Sequence, residues 1–111
     1  MDTQEFSEWL DGMSVPQRVR VLVHIYANLT ICTREVFLPG VANGKEETVL
    51  RMLHGMNEIH HTLSNWLGNY VTDATKAFPV ETLTMQLSQI ASHYRIDGWL
   101  SWAIKRARGM T

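Results

Sequence analysis

Apolar residues in this chain recur three and four positions apart, and residues that start or stop helices bracket each run. Asp2 is followed three residues later by Glu5 and then by Phe6, Trp9 and Leu10, which predicts a short amphipathic helix closed by Gly12. Ser14-Val-Pro-Gln17 reads as a capping box, with Pro16 in the first turn where its missing N–H costs nothing. The matching stop is Leu38-Pro39-Gly40, since proline cannot continue a helix and glycine suits the left-handed residue after one. A second helix is predicted over about residues 15–38, with Leu22, Ile25, Tyr26, Leu29, Cys32, Val36 and Phe37 on its apolar face. Val19 to Tyr26 alternates in a partly strand-like way. Helix wins there, because the alternation ends at Tyr26, no hairpin partner follows, and both ends carry helix caps.

Past the Pro39–Gly44 loop the helical pattern resumes. Asn43 and Glu46 stand as N-cap and third helical residue, and Glu46 and Glu47 suit the positive end of a helix dipole. A third helix is predicted over about residues 44–70, with Val49, Met52, Leu53, Met56, Ile59, Leu63, Trp66, Leu67 and Tyr70 in one apolar arc. Residues 71–78 read as a connector. Pro79 opens a fourth helix with Glu81 in its first turn and a stripe of Val80, Leu83, Leu87, Ile90, Ala91 and Tyr94. Asp97-Gly98 breaks it. Asp97 then caps a last helix carrying Trp99, Leu100, Trp102, Ala103 and Ile104 and ending in Lys105, Arg106 and Arg108. The whole pattern predicts one all-α, bundle-like domain over residues 1–111: three long antiparallel helices with short amphipathic helices at both ends.

Composition removes several function classes. With 111 residues, 45% of them hydrophobic, the chain can hide roughly two-thirds of its unfolded surface. A net charge of −1 argues against sequence-independent binding to nucleic acid or anionic membranes as the main task. The single cysteine, Cys32, allows neither an intrachain disulfide nor a cysteine metal pair. At mid-helix on an apolar face it reads as a small hydrophobe with a raised pKa. The acidic start (Asp2, Glu5, Glu8) does not read as a secretory signal, and no run approaches about 18 consecutive apolar residues. A cytoplasmic protein with no membrane contact is expected. Neither a Gly-x-Ser-x-Gly elbow nor a phosphate-cradling loop with its Lys-Ser signature occurs. Asn28-Leu-Thr30, a glycosylation triplet, sits inside a helix and is set aside. The reading leans away from an enzyme and assigns no catalytic residue, cofactor or metal.

Candidate chemistry concentrates in the third helix, which holds three of the five histidines in the string His54-Gly-Met-Asn-Glu58-Ile-His-His61. Glu58 and His61 have the Glu-x-x-His spacing of di-iron bundles, where positions i and i+3 project from one face. Such a site needs a second Glu-x-x-His and two further inward glutamates, which this chain lacks. On a helical wheel His54, Glu58, His61 and Asn65 form a row opposite the apolar arc, and His60 lies at the edge of the arc. The plain expectation is a solvated row and a hydrogen-bonded core-edge imidazole at His60. The sharper one is a row that meets a partner helix, a second subunit or a ligand, with histidine adding a response near neutral pH. Asn57-Glu58-Ile59-x-His61 follows Leu53-x-Gly55 and lies downstream of a helix spanning Val19–Thr33. In these features the chain resembles small all-helical bacterial proteins over about residues 15–70. The resemblance names no activity; it implies that Asn57, Glu58 and His61 act together.

Two distributions point to contact surfaces. Residues 1–13 carry four acids and no base, residues 95–108 carry four bases against Asp97, and the middle is balanced. Packed ends would make this internal complementarity, whereas separate ends suit head-to-tail contact between subunits. The basic end alone is a weak footprint for nucleic acid. Four tryptophans and six methionines exceed what a small three-helix core needs, and Trp99 and Trp102, three apart, share a face. The functional expectation is a non-enzymatic protein acting by protein–protein interaction, with itself as a homodimer or with another protein that it binds or neutralises. The alternative is a ligand- or metal-binding helical protein, as far as an enzyme, using the His54/Glu58/His61 face. Candidate ligand or interface residues are therefore His54, Asn57, Glu58, His61, Trp99 and Trp102.

Overall fold

Ser14 opens its helix as the spacing predicts. In the computed structural model, which describes residues 3–37, 39, 44–72 and 80–110, the Ser14 N–H donates to Gln17 Oε1 at 2.9 Å. The Gln17 N–H donates back to Ser14 Oγ at 3.4 Å, completing the capping box. Helix α2 then runs Val15–Cys32, so the alternating valines are helical. Ahead of it, α1 spans Thr3–Asp11. Its last carbonyls need donors, and one side chain of α2 supplies them. Arg18 donates from Nε to Leu10 O at 2.8 Å and to Met13 O at 3.1 Å, and from Nη2 to Asp11 O at 3.0 Å.

Beyond Cys32 the backbone widens into a π-helical turn, Thr33–Phe37. The remaining helices are α3 (Glu46–Thr72), α4 (Val80–His93) and α5 (Asp97–Met110). Gly44, at φ 77°, leads into α3, and the Lys45 carbonyl accepts the first helical bond from Val49 N–H at 3.0 Å. Helix α3 thus starts two residues later than the expected position, with Glu46 and Glu47 in its first turn. The stop at Leu38 and Gly40, the Asn43 cap, the Pro79 start and the side chains of Val36, Phe37 and Tyr70 lie outside the described residues.

The break between α4 and α5 falls elsewhere than expected. Gly98 lies inside α5, and the chain turns instead at Arg95, whose φ is 58°. Ile96 N–H reaches back to Ala91 O at 2.8 Å and Arg95 N–H to Ser92 O at 3.2 Å, the two bonds of a Schellman closure. Ile96 is fully buried. Its burial is the physical reason for the turn, since a left-handed conformation costs a side-chain-bearing residue about 1 kcal/mol.

Helix α2 packs against both α5 and α3, and runs antiparallel to α3. Asn28 meets Met110 at the end of α5, and Tyr26 meets His60 of α3. Helix α4 runs antiparallel to α3, with Trp66 Nε1 donating to Gln86 Oε1 at 3.1 Å, and α1 lies against α4 through buried Phe6 and Leu10. The core they enclose includes Leu22, Ile25, Leu29, Met56, Ile59, Leu63, Leu83 and Leu87. Twenty-seven residues in α3, at about 1.5 Å each, account for most of the 47 Å long axis. Helix α5 is as long as α4, 14 residues each, and makes the broadest contact with α2, where buried Ala103 and Ala107 allow close approach. Because α5 packs there, Val21 and Asn28 are buried while Tyr26, expected inside, is 36% exposed. No described helix is long and apolar enough to cross a membrane.

Candidate functional site

The polar row of α3 lies where α3 meets the end of α4, and Gly55 brings the two together. A Cβ at Gly55 would stand 2.6 Å from Tyr94 Cβ and 2.8 Å from Ile96 Cδ1, closer than carbon atoms approach. A mid-helix glycine costs about 1 kcal/mol relative to alanine, and here the cost is offset by a contact no other residue permits. Tyr94 then lies across the row. Its Oη donates to Glu58 Oε1 at 2.7 Å. Its ring stacks on His54, with centroids 5.3 Å apart and planes 16° apart, and His93 meets its edge at 4.7 Å. The bond to Glu58, together with burial and the carboxylate charge, holds the Tyr94 phenol above its ordinary pKa. His54 Nε2 stands 3.9 Å from Glu58 Oε1, but both side chains are well exposed and the ion pair adds little.

Half of the row is thus met from within the chain, by Tyr94 in the turn that follows α4. His54 and Glu58 come together around Tyr94, while His61 and Asn65 are exposed. Asn57 lies on a different flank, in a groove with His60. The structure does not assemble Asn57, Glu58 and His61 into one group. Among the described residues, no three His, Cys, Asp or Glu side chains stand where they could hold a metal ion. Cys32 is buried, and burial raises its pKa.

The flank with Asn57 is a groove of about 390 Å³ between α2, the π turn and α3. Tyr26 and His60 form a ring pair in its wall, centroids 4.4 Å apart and planes 36° apart. The imidazole expected to be hydrogen-bonded at His60 is satisfied only in part: the Tyr26 backbone engages it, while Nε2 is buried and has no partner. A buried polar atom left unpaired costs about 1–3 kcal/mol. Burial also lowers the His60 pKa, opposed by the Tyr26 carbonyl, so the ring is largely neutral at pH 7.

The tryptophans separate. Trp99 is half-buried against the core, whereas Trp102 is 36% exposed, with the Arg106 guanidinium 5.4 Å from its ring centroid. Sharing a helical face by spacing does not make them equally exposed. Trp9 packs on the core with Arg108 of α5 5.6 Å from its ring centroid, so the acidic first helix and the basic last one do meet at their ends. Gly55 and Tyr94 are not among the expected site residues. The signal for Gly55 was a glycine inside a strong helical pattern, which often marks close backbone approach. No protein-family model, curated protein or solved structure matches this chain.

Proposed function

We propose that the chain works by self-association through the outer face of α2 and α5, with no reactive group in the working surface. Val23, Ala27 and Ile31 follow one another at single-turn spacing on the outward side of α2, and Val23 and Ile31 are 48% and 42% exposed. On α5, packed beside α2, Trp102 and Met110 are also exposed. These are four of the seven large apolar side chains that the described residues leave in solvent. The charge around them is mainly basic: Arg20, Lys105 and Arg106 are exposed and α2 contains no acid, with Glu35 of the π turn a carboxylate one turn beyond Ile31. This coincidence of exposed apolar surface and mainly basic charge carries the proposal.

The chain supplies a complement. Leu50, 61% exposed, stands beside Glu46 and Glu47 in the first turns of α3. A second copy offering this acidic, apolar turn to the basic, apolar face covers both and buries the tryptophan and methionine types that interfaces favour. Sedimentation velocity at low and high salt tests it. The expected result is an oligomer that Ile31→Asp or Lys105→Glu returns to monomer, and that about 0.5 M salt weakens through screening. A monomer at the highest soluble concentration in low salt refutes the proposal, as does an oligomer indifferent to both substitutions. A ligand at the His54/Glu58/His61 face has less support, because Tyr94 already engages His54 and Glu58.

A further inference from the structure

The groove at the π turn combines a ring wall, apolar surface and one kind of charge. Leu53 and Met56 line it beside the Tyr26–His60 pair. The two threonine hydroxyls in it are already used as donors, Thr30 to Tyr26 O at 3.0 Å and Thr33 to Leu29 O at 3.1 Å. What is left to recognise a ligand is the Arg34 guanidinium and the Asn57 side-chain amide, both exposed. Among the described residues no carboxylate lines the groove. A backbone turn of the i→i+5 kind recurs at functional sites, and here it places Thr33 and Arg34 at this groove. Its volume falls in the range of small-molecule sites.

We propose that this groove binds a small aromatic carboxylate, its ring against Tyr26 and His60 and its carboxylate on Arg34 and Asn57. Each half of the ligand answers one half of the site. A flat ring meets two rings and apolar carbon, where offset stacking is favourable. A carboxylate meets a forked guanidinium suited to two parallel hydrogen bonds, with no acid among the described residues that line the groove. The lowered basicity of His60 keeps the wall uncharged near neutrality, so the charge that selects the ligand is that of Arg34 alone.

Benzoate is the probe, with benzamide as its uncharged analogue and acetate as the charge without the ring. Each is titrated to about 10 mM, the range of weak small ligands, while NMR follows the His60 ring, the Met56 methyl and the Asn57 amide. The expected result is saturable shifts of all three with benzoate, and binding weaker by about tenfold or more with benzamide and with acetate. Arg34→Gln, an exposed change, weakens benzoate binding by about tenfold, while His60→Phe keeps the ring wall and most of the affinity. No saturable shift at these residues overturns the proposal. So does an equal response to benzamide, or a benzoate response that survives Arg34→Gln unchanged.

Discussion

Glu58 and His60 stand two residues apart on α3, yet their polar atoms meet opposite circumstances. Glu58 faces the end of α4, where Gly55 lets Tyr94 come close enough to donate a hydrogen bond. His60 faces α2, where its Nε2 is buried without a donor and a groove opens beside it. One flank of the helix is closed by a side chain of the same chain; the other leaves His60 Nε2 unpaired and its groove open. Polarity alone therefore does not mark a functional surface. What separates the two flanks is whether the fold already satisfies them.

The largest effect should come from breaking the closed flank. Gly55→Ala puts a carbon where Tyr94 and Ile96 already are, and is expected to destabilise the protein by about 3 kcal/mol, as overpacking does. Asn57→Ala on the open flank should change stability by less than about 0.5 kcal/mol. Urea unfolding of both variants checks the pair, and equal losses would erase the distinction drawn between the flanks.

A smaller effect sharpens the same comparison through pH. Burial lowers the His60 pKa in the folded chain, so as pH falls the unfolded chain takes up its proton first. This contribution to stability is complete above the ordinary histidine pKa and declines as pH drops through the lower folded value. Unfolding curves at pH 7.5 and 5 should show the native protein losing more stability than His60→Phe loses; equal losses would mean that the imidazole is not held neutral by burial. The mildest test reads Tyr94. Its pKa is raised in the folded state, so the linked stability is present below the ordinary phenol pKa and is lost as pH rises through the folded value. In ultraviolet titration, Glu58→Gln should bring the Tyr94 transition down towards that of an ordinary tyrosine, and an unmoved transition would detach Tyr94 from Glu58.

The helices were legible in the sequence because their causes are local. Ser14 and Gln17 cap one another across three residues, and the apolar arc of α3 follows from a period of 3.6. The candidate site was only half legible. His54 and Glu58 could be placed on one row, but the partner that claims them is Tyr94, 36 residues beyond Glu58, and on the wheel it counted as a core residue. Arg95 was missed for a related reason. Turn chemistry pointed to the glycine at position 98, whereas the chain turns where burying Ile96 requires it. His60 was placed correctly at the core edge, yet nothing in the string could show that its neighbours would leave Nε2 unpaired.

Arg18 bears on the order in which the molecule forms. A nine-residue helix has too few turns to persist in water by itself. Helix α1 ends on carbonyls held by a guanidinium from α2, and it buries Phe6 and Leu10 in a core that the later helices complete. Helix α1 therefore becomes structured only once its partners are in place, and it can open while the rest stays folded.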